Sequence, residues 1–473
     1  MENNLQPRVG GMLALWVLCM AMFMLILDVA IVNVALPSIQ RDLGFSSGNL
    51  QLVITTYALA FGGLLLLGGR VADVLGRKRM FTVGLFAFTL ASFACGIALS
   101  DTMLLVARGV QGVGAALVAP AAMSLLVTIF TEGEPRNRAL GVWSAVAAGG
   151  GAAGLVIGGL LTDFAGWRWV FLVNVPVGLA VLVASRTALP RDTSTERGHI
   201  DFAGAFAVTL GLVALGYGLE RGGQSGFGDI AVLALLVASF ALLASFTLIE
   251  RRATEPLVPF TIFRLGNVVG ANLASFLMSG VVIGVNYFLT LYFQRVLGFS
   301  PLLTGLAFLP MTVTIAVASS LSSRLVGRLG ARSLLLAGMV ALVIGAALLV
   351  RLSPETNYVS AVLPALLIVA LGLGPGFAVG AIAATNGVPS SQQGVASGLL
   401  STTQQVGGAV GLAVLVAVSS AVSGAAGMET PQALADGFRA AFVAMSVLAL
   451  VAGLAVWGFV RERSSSRMLE QTD

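Results

Sequence analysis

Histidine and lysine each occur once and cysteine twice in 473 residues, and charged side chains make up only 10% of the chain. Each scarcity excludes something. His199 and the nearby Asp201 are too few for a metal site, since zinc centres gather three or four protein ligands. Cys19 and Cys95 both fall inside long apolar runs, which argues against the disulfide framework of a small secreted fold. No G-x-x-x-x-G-K-[ST] loop is present. The segment Gly149–Gly154 lacks the lysine and lies in mid-run, so close helix packing explains it better than a phosphate does. No nucleophile–base pair can be assembled. The chain therefore reads as neither an enzyme nor a cofactor protein. A charged fraction this low, against about 25% in soluble domains, excludes that class as well.

Hydrophobic residues account for 57% of the chain, with a mean hydropathy of +0.97. Apolar runs of about 20 residues, the length that crosses a bilayer as a helix, recur from end to end. Fourteen such spans are expected, the first over residues 12–36 and the second over 50–68. The first continues through Asp28 to Pro37 without a small-residue cleavage site, so it reads as a span rather than a leader. An even number of spans puts both termini on one side. With that side cytoplasmic, 19 of the 26 Lys and Arg residues lie there, against six outside. Such a bias is the positive-inside rule, and it makes the net charge of +5 a topology signal rather than a nucleic-acid face.

One acid stands at membrane depth. Asp28 lies about 13 Å from the outer end of the first span at 1.5 Å per residue, and Arg108 in the fourth lies about 10 Å from the same surface. An ionisable group in a span marks function by default, because hydrocarbon disfavours an unpaired charge. A structural ion pair is the plainer alternative. Chemistry separates the two, since a carboxylate can trade a proton for a cation whereas arginine keeps its charge.

The chain also repeats itself. LGFS occurs at Leu43–Ser46 and again at Leu297–Ser300. The same spacing aligns Arg70 with Arg324 and Gly76 with Gly330. Slightly larger offsets align Gly112–Pro120 with Gly372–Gly380, and Gly150, Gly151 and Gly154 with Gly407, Gly408 and Gly411. Two related six-helix bundles are expected, residues 1–190 and 257–473, with two extra helices inserted at 191–256. Duplicated halves around a central site are typical of secondary transporters.

With GGRVADVLGRKR (Gly68–Arg79), LDVAIVNVALP (Leu27–Pro37), VARGVQGVGAA (Val106–Ala116) and GWRWVFLVNVPVG (Gly166–Gly178), the chain resembles the major facilitator superfamily. Within it, the pattern is similar to the fourteen-helix drug:proton antiporters of the EmrB/QacA type. The resemblance implies an all-α membrane protein and proton-coupled export by alternating access. It implies Asp28 and Arg108 as coupling residues, and a cytoplasmic latch of Gly69, Asp73, Gly76, Arg77 and Lys78 in the loop after the second span. Helix-5 packing would fall to Gly150, Gly154, Gly158 and Gly159. Two departures matter. Leu155 stands where the antiporter motif carries proline, and the repeat places Val282 opposite Asp28, so the second bundle has no deep acid.

Polar and amphipathic residues within spans are the candidates for a cargo cavity: Asn33, Tyr57, Trp143, Asn272, Asn286, Tyr287, Thr403 and Gln404. For each, a helix–helix hydrogen bond is as good a reading as cargo contact. The expected partners are a small-molecule substrate, protons and membrane lipids, with no metal and no nucleic acid. The expected state is a monomer in a bacterial cytoplasmic membrane with both termini inside, and an adaptor protein is left open. Three cargoes remain in play: varied amphipathic or cationic drugs, a single metabolite or self-made antibiotic, and a lipid or glycolipid.

Overall fold

The computed structural model describes residues 9–461 except 47–48, 132, 191, 193–200, 227, 253–259, 354, 390–391 and 425–430. His199 and Glu132 lie outside the described residues. The first half is built from α1 (Val9–Leu43), α2 (Leu52–Leu75), α3 (Arg77–Gly96), α4 (Asp101–Ile129), α5 (Glu134–Phe164) and the broken pair α6 (Trp169–Leu172) and α7 (Asn174–Ala188). Then come α8 (Phe202–Ser225) and α9 (Ile230–Arg252). The second half holds α10 (Gly266–Leu291), α11 (Pro301–Leu329), α12 (Ala331–Leu349), α13 (Leu363–Thr385), α14 (Gln393–Gly424) and α15 (Pro431–Phe459). With α6 and α7 taken as one crossing, the described residues hold fourteen long helices. Among the described residues thirteen helices are long and apolar enough to span a membrane, and the apolar part of α8 is the shorter Ala203–Leu219.

Several helices outrun their expected bounds. α1 passes through Pro37 and ends six residues later, before Gly44 at φ +73°. Proline deletes one backbone donor, and the flanking turns hold the helix together regardless. α2 extends to Leu75, so Asp73 is in its last turn and not in a loop. The turn itself is Gly76 alone, at φ +103°, a backbone region that favours glycine.

The sequence repeat is a structural repeat. α1 packs on α5, α2 on α4, α3 on α4 and α3 on α7. The same pairings recur as α10 on α14, α11 on α13, α12 on α13 and α12 on α15. The close approaches recur too. A Cβ on Gly84 of α3 would lie 2.8 Å from the Gly114 carbonyl of α4, and one on Gly338 of α12 would lie 2.9 Å from the Gly372 carbonyl of α13. Both LGFS glycines have positive φ, +73° at Gly44 and +69° at Gly298.

The halves meet along two seams, α2 against α14 and α5 against α11. α8 lies over the first and touches both halves: Thr209 packs against Gly63 of α2, and α8 also packs on α14. The ends of α1, α5 and α10 define a distal side, and the α2–α3 turn a proximal one. On the distal side the Gln294 side chain donates to the Val34 carbonyl at 2.8 Å, and Leu302 N–H donates to Asp163 at 2.9 Å. Toward the proximal ends of the second seam, positions 141, 149 and 151 of α5 face open space, and Ala316, Val317 and Ser320 of α11 are exposed. Along this seam the hydrogen bond between the halves lies at the distal end.

Candidate functional site

Asp28 and Arg108 do meet. Arg108 Nη1 donates to Asp28 Oδ2 at 2.6 Å, with the aspartate fully buried and the arginine 1% exposed. The second carboxylate oxygen, Oδ1, accepts from Gln111 Nε2 at 2.7 Å and from Asn174 Nδ2 at 2.9 Å. Three side chains from α4 and α7 therefore converge on one residue of α1. Gln111 ties the network further, since its Nε2 also reaches Ser92 Oγ of α3 at 2.8 Å and its Oε1 accepts from Arg108 at 2.7 Å. Cys95 Sγ lies 3.8 Å from that same Oε1.

Arg108 has further partners beside the acid. Its Nε donates to the Val53 carbonyl of α2 at 2.9 Å, and its guanidinium lies 4.4 Å from the centre of the Tyr57 ring. Such cation–π contacts are strengthened by desolvation. Gly112 lets α2 come this close, because a Cβ there would press on the Tyr57 carbonyl at 2.5 Å. Removing one partner of a buried ion pair leaves an uncompensated charge, at about 3–5 kcal/mol.

The helix-5 glycines divide between two faces. A Cβ at Gly154 would meet the Ala30 Cβ at 2.7 Å, one at Gly158 the Ile31 carbonyl at 2.8 Å, and one at Gly150 the Ile26 and Phe23 side chains at 3.3 Å. All three face α1, around the turns that follow and precede Asp28. Gly159 instead faces α11, where a Cβ would lie 2.6 Å from the Pro301 carbonyl. Leu155, at the expected proline, sits on that second face with its carbonyl against Gly305.

At the α2–α3 turn, Asp73 Oδ1 accepts from Arg77 Nε at 3.1 Å, and Arg77 Nη1 also donates to Thr128 Oγ1 at 2.6 Å. Lys78 reaches the other way. Its ammonium donates to the Arg186 and Leu189 carbonyls at 3.0 and 2.7 Å, closing the C-terminal end of α7. In return Asp192, just past α7, accepts from Lys78 N–H at 3.0 Å and Arg79 N–H at 3.2 Å, capping α3 where Gly76 has no side chain to do so. A Cβ at Gly76 would strike Asp192 at 2.5 Å, a second reason for glycine there. Gly69 is only in ordinary contact with Pro120 of α4, at 3.6 Å from its added Cβ. Its neighbour Gly68, against the Ala116 carbonyl, is the tighter position.

The cavity candidates separate. Tyr57 belongs to the Arg108 network, and its buried hydroxyl has no hydrogen-bond partner. Trp143 is buried in the apolar cluster of the first half, and Tyr287 packs edge-on against Phe288 inside the second. Asn272 accepts from Thr403 Oγ1 at 3.0 Å, which bridges α10 and α14 within the second half. Asn33 and Asn286 each donate to the carbonyl four residues back, Val29 and Val282, at 2.9 Å. Asn33 Oδ1 is left buried without a partner, and Gln404 is half-buried. The sequence reading left Asn174, Ser92 and Asp192 out of the site. Asn174 was visible as a polar residue inside an apolar span, while nothing local marked Asp192.

Comparison with known proteins fits this architecture. The family model described as Major Facilitator Superfamily matches residues 18–412. The chain is 43% identical to the puromycin resistance protein pur8 of Streptomyces alboniger, over 95% of this chain and 91% of that protein. It is 40% identical to the cephamycin export protein CmcT of Amycolatopsis lactamdurans, over 92% and 90%. A crystal structure of a bacterial homolog of the human lysosomal transporter Spinster superposes with a TM-score of 0.68 at 18% identity, covering 97% of this chain and all of that one, a likeness of fold. With the duplicated bundles, the glycine turns and these matches, the chain belongs to the major facilitator superfamily of membrane transporters.

Proposed function

We propose that this protein exports small amphipathic or cationic antibiotic-like compounds from the cytoplasm by proton-driven alternating access, with Asp28 as the coupling carboxylate. The observation that carries the reading is the sealed Asp28–Arg108 pair on the first bundle, with Val282 at its repeat position. In this reading residues 1–190 and 257–473 rock against each other, and 191–256 adds α8 and α9 beside the α2–α14 seam. The proximal side is the cytoplasm, and both termini lie in it, in a bacterial inner membrane.

The network suits a proton exchange. When Asp28 takes a proton, Arg108 loses its counter-charge but keeps the Val53 carbonyl, Gln111 Oε1 and the Tyr57 ring. The guanidinium thus keeps partners where it already stands. A cationic cargo near α1 would favour the ionised carboxylate and help expel the proton, and linkage requires the proton to weaken cargo binding equally. Asn33, with its unpartnered Oδ1 on the same helix, is the nearest candidate contact for that cargo. The cytoplasmic latch is assigned to Asp73, Arg77 and the turn around Gly76.

A dedicated exporter of one antibiotic is the second reading. It is favoured by the names of the relatives given above, a puromycin resistance protein and a cephamycin export protein. The deciding experiment measures proton release on cargo addition to purified wild type and D28N, with puromycin and a panel of cationic dyes. Release from wild type and none from D28N is expected, and equal release from both would place the coupling elsewhere. Response to one compound alone would select the dedicated exporter.

A further inference from the structure

Asp163 completes the cap of a helix that belongs to the other bundle. α11 begins at Pro301, which has no N–H, and Ser300 Oγ accepts from Leu303 N–H at 3.2 Å. The remaining early donor, Leu302 N–H, is taken by Asp163 Oδ2 at 2.9 Å, from the last turn of α5. A carboxylate at a helix N-terminus is favoured both as hydrogen-bond acceptor and by the helix dipole.

Residues 155, 159 and 163 recur every four positions and so share one face of α5. All three touch α11: the Leu155 carbonyl against Gly305, Gly159 against Pro301 and Leu302, and Asp163 on the Leu302 N–H. The other stripe, Gly150, Gly154 and Gly158, faces α1 of the same bundle. Only the first stripe must part if the distal side opens. A contact made in one state and lost in the other shifts their populations by its whole worth.

We infer that Asp163 is a distal latch, a positioning residue that holds the outer side closed by capping α11 across the α5–α11 seam. This rests on the alternating-access reading above. Loss of the acceptor should raise the distal-open population about five-fold, the effect of an ordinary N-cap deletion.

The test measures distances between spin labels at L99C and E355C, in the two distal loops, on full-length protein lacking Cys19 and Cys95 in lipid nanodiscs. D163A is expected to enrich the long distances and D163N, which keeps an acceptor, to stay near wild type. S300A removes the cap that α11 makes for itself and should leave the distances unchanged. A D163A distribution identical to wild type, or an S300A shift as large as that of D163A, would overturn the latch. If D163A does not accumulate, the pair D163C and L302C decides. Oxidation should block transport and reductant restore it, and a cross-linked protein that still transports refutes the proposal. A wild type that transports cargo with its label distance fixed would overturn alternating access and the latch together. A wild type that opens beside an unshifted D163A would overturn the latch alone.

Discussion

The two bundles share a skeleton and differ in what fills it. Gly84 on Gly114 and Gly338 on Gly372 set the same crossing in each, and the turn glycines Gly76 and Gly330 both have positive φ. Inside, the first half carries Asp28, Arg108, Gln111, Asn174 and Ser92 in one hydrogen-bonded knot. The second carries rings: Phe288 against Phe438 and Phe442, and Phe293 against Phe299, Phe308 and Tyr358. Backbone packing through glycine is therefore indifferent to the chemistry it encloses. Among the described residues of the two halves, only the first buries charged side chains at its centre.

The largest test of this difference is to remove the charge balance. R108A should leave Asp28 buried without a cation and destabilise the first bundle by about 3–5 kcal/mol. The expected readout is a lower thermal midpoint in detergent, with much of it recovered in the double variant D28N/R108A. Equal loss in both would mean that Arg108 acts by packing alone.

Next comes the shared skeleton. G84A and G338A each force a methyl into a neighbouring backbone, and overpacking of this kind costs about 1–3 kcal/mol. The two losses should be similar, with G84A the larger because Leu117 Cβ, at 2.6 Å, crowds it as well. Thermal unfolding of the two variants checks this. A large cost in one bundle and none in the other would break the equivalence.

The smallest expected effect is at the α2–α3 turn, where Asp192 caps α3; at the matching Gly330 turn Arg332 takes the place of Lys78 and donates to the Trp457 carbonyl of α15 at 2.7 Å. D192A should cost about 1 kcal/mol as a lost N-cap. Slower hydrogen exchange than expected at Lys78 and Arg79 amides in D192A, matching wild type, would show that another group caps α3.

The charges were easy to read because each stood alone in an apolar run; Asp28 and Arg108 could be matched by depth before any contact was seen. Not all of their neutral partners were. Gln111 came with Arg108 in the motif Val106–Ala116, but Asn174 and Ser92 are polar residues among many in spans, and only the packing of α7 and α3 around the site singles them out. Helix ends were misjudged for a related reason. Pro37 and the charges around Asp73 mark where apolar sequence stops, whereas the hydrogen-bonded ladder runs on past both. The repeat was legible because its glycines are fixed by backbone contact and not by side-chain chemistry.

Lys78 is the only lysine in the chain, and its ammonium is held by two carbonyls at the end of α7. An amine-directed acylating reagent therefore has one side-chain target, and that target is shielded while the α2–α3 turn stays docked. Its rate of modification becomes a clock for undocking, readable by mass on the unaltered protein without a label or a substitution.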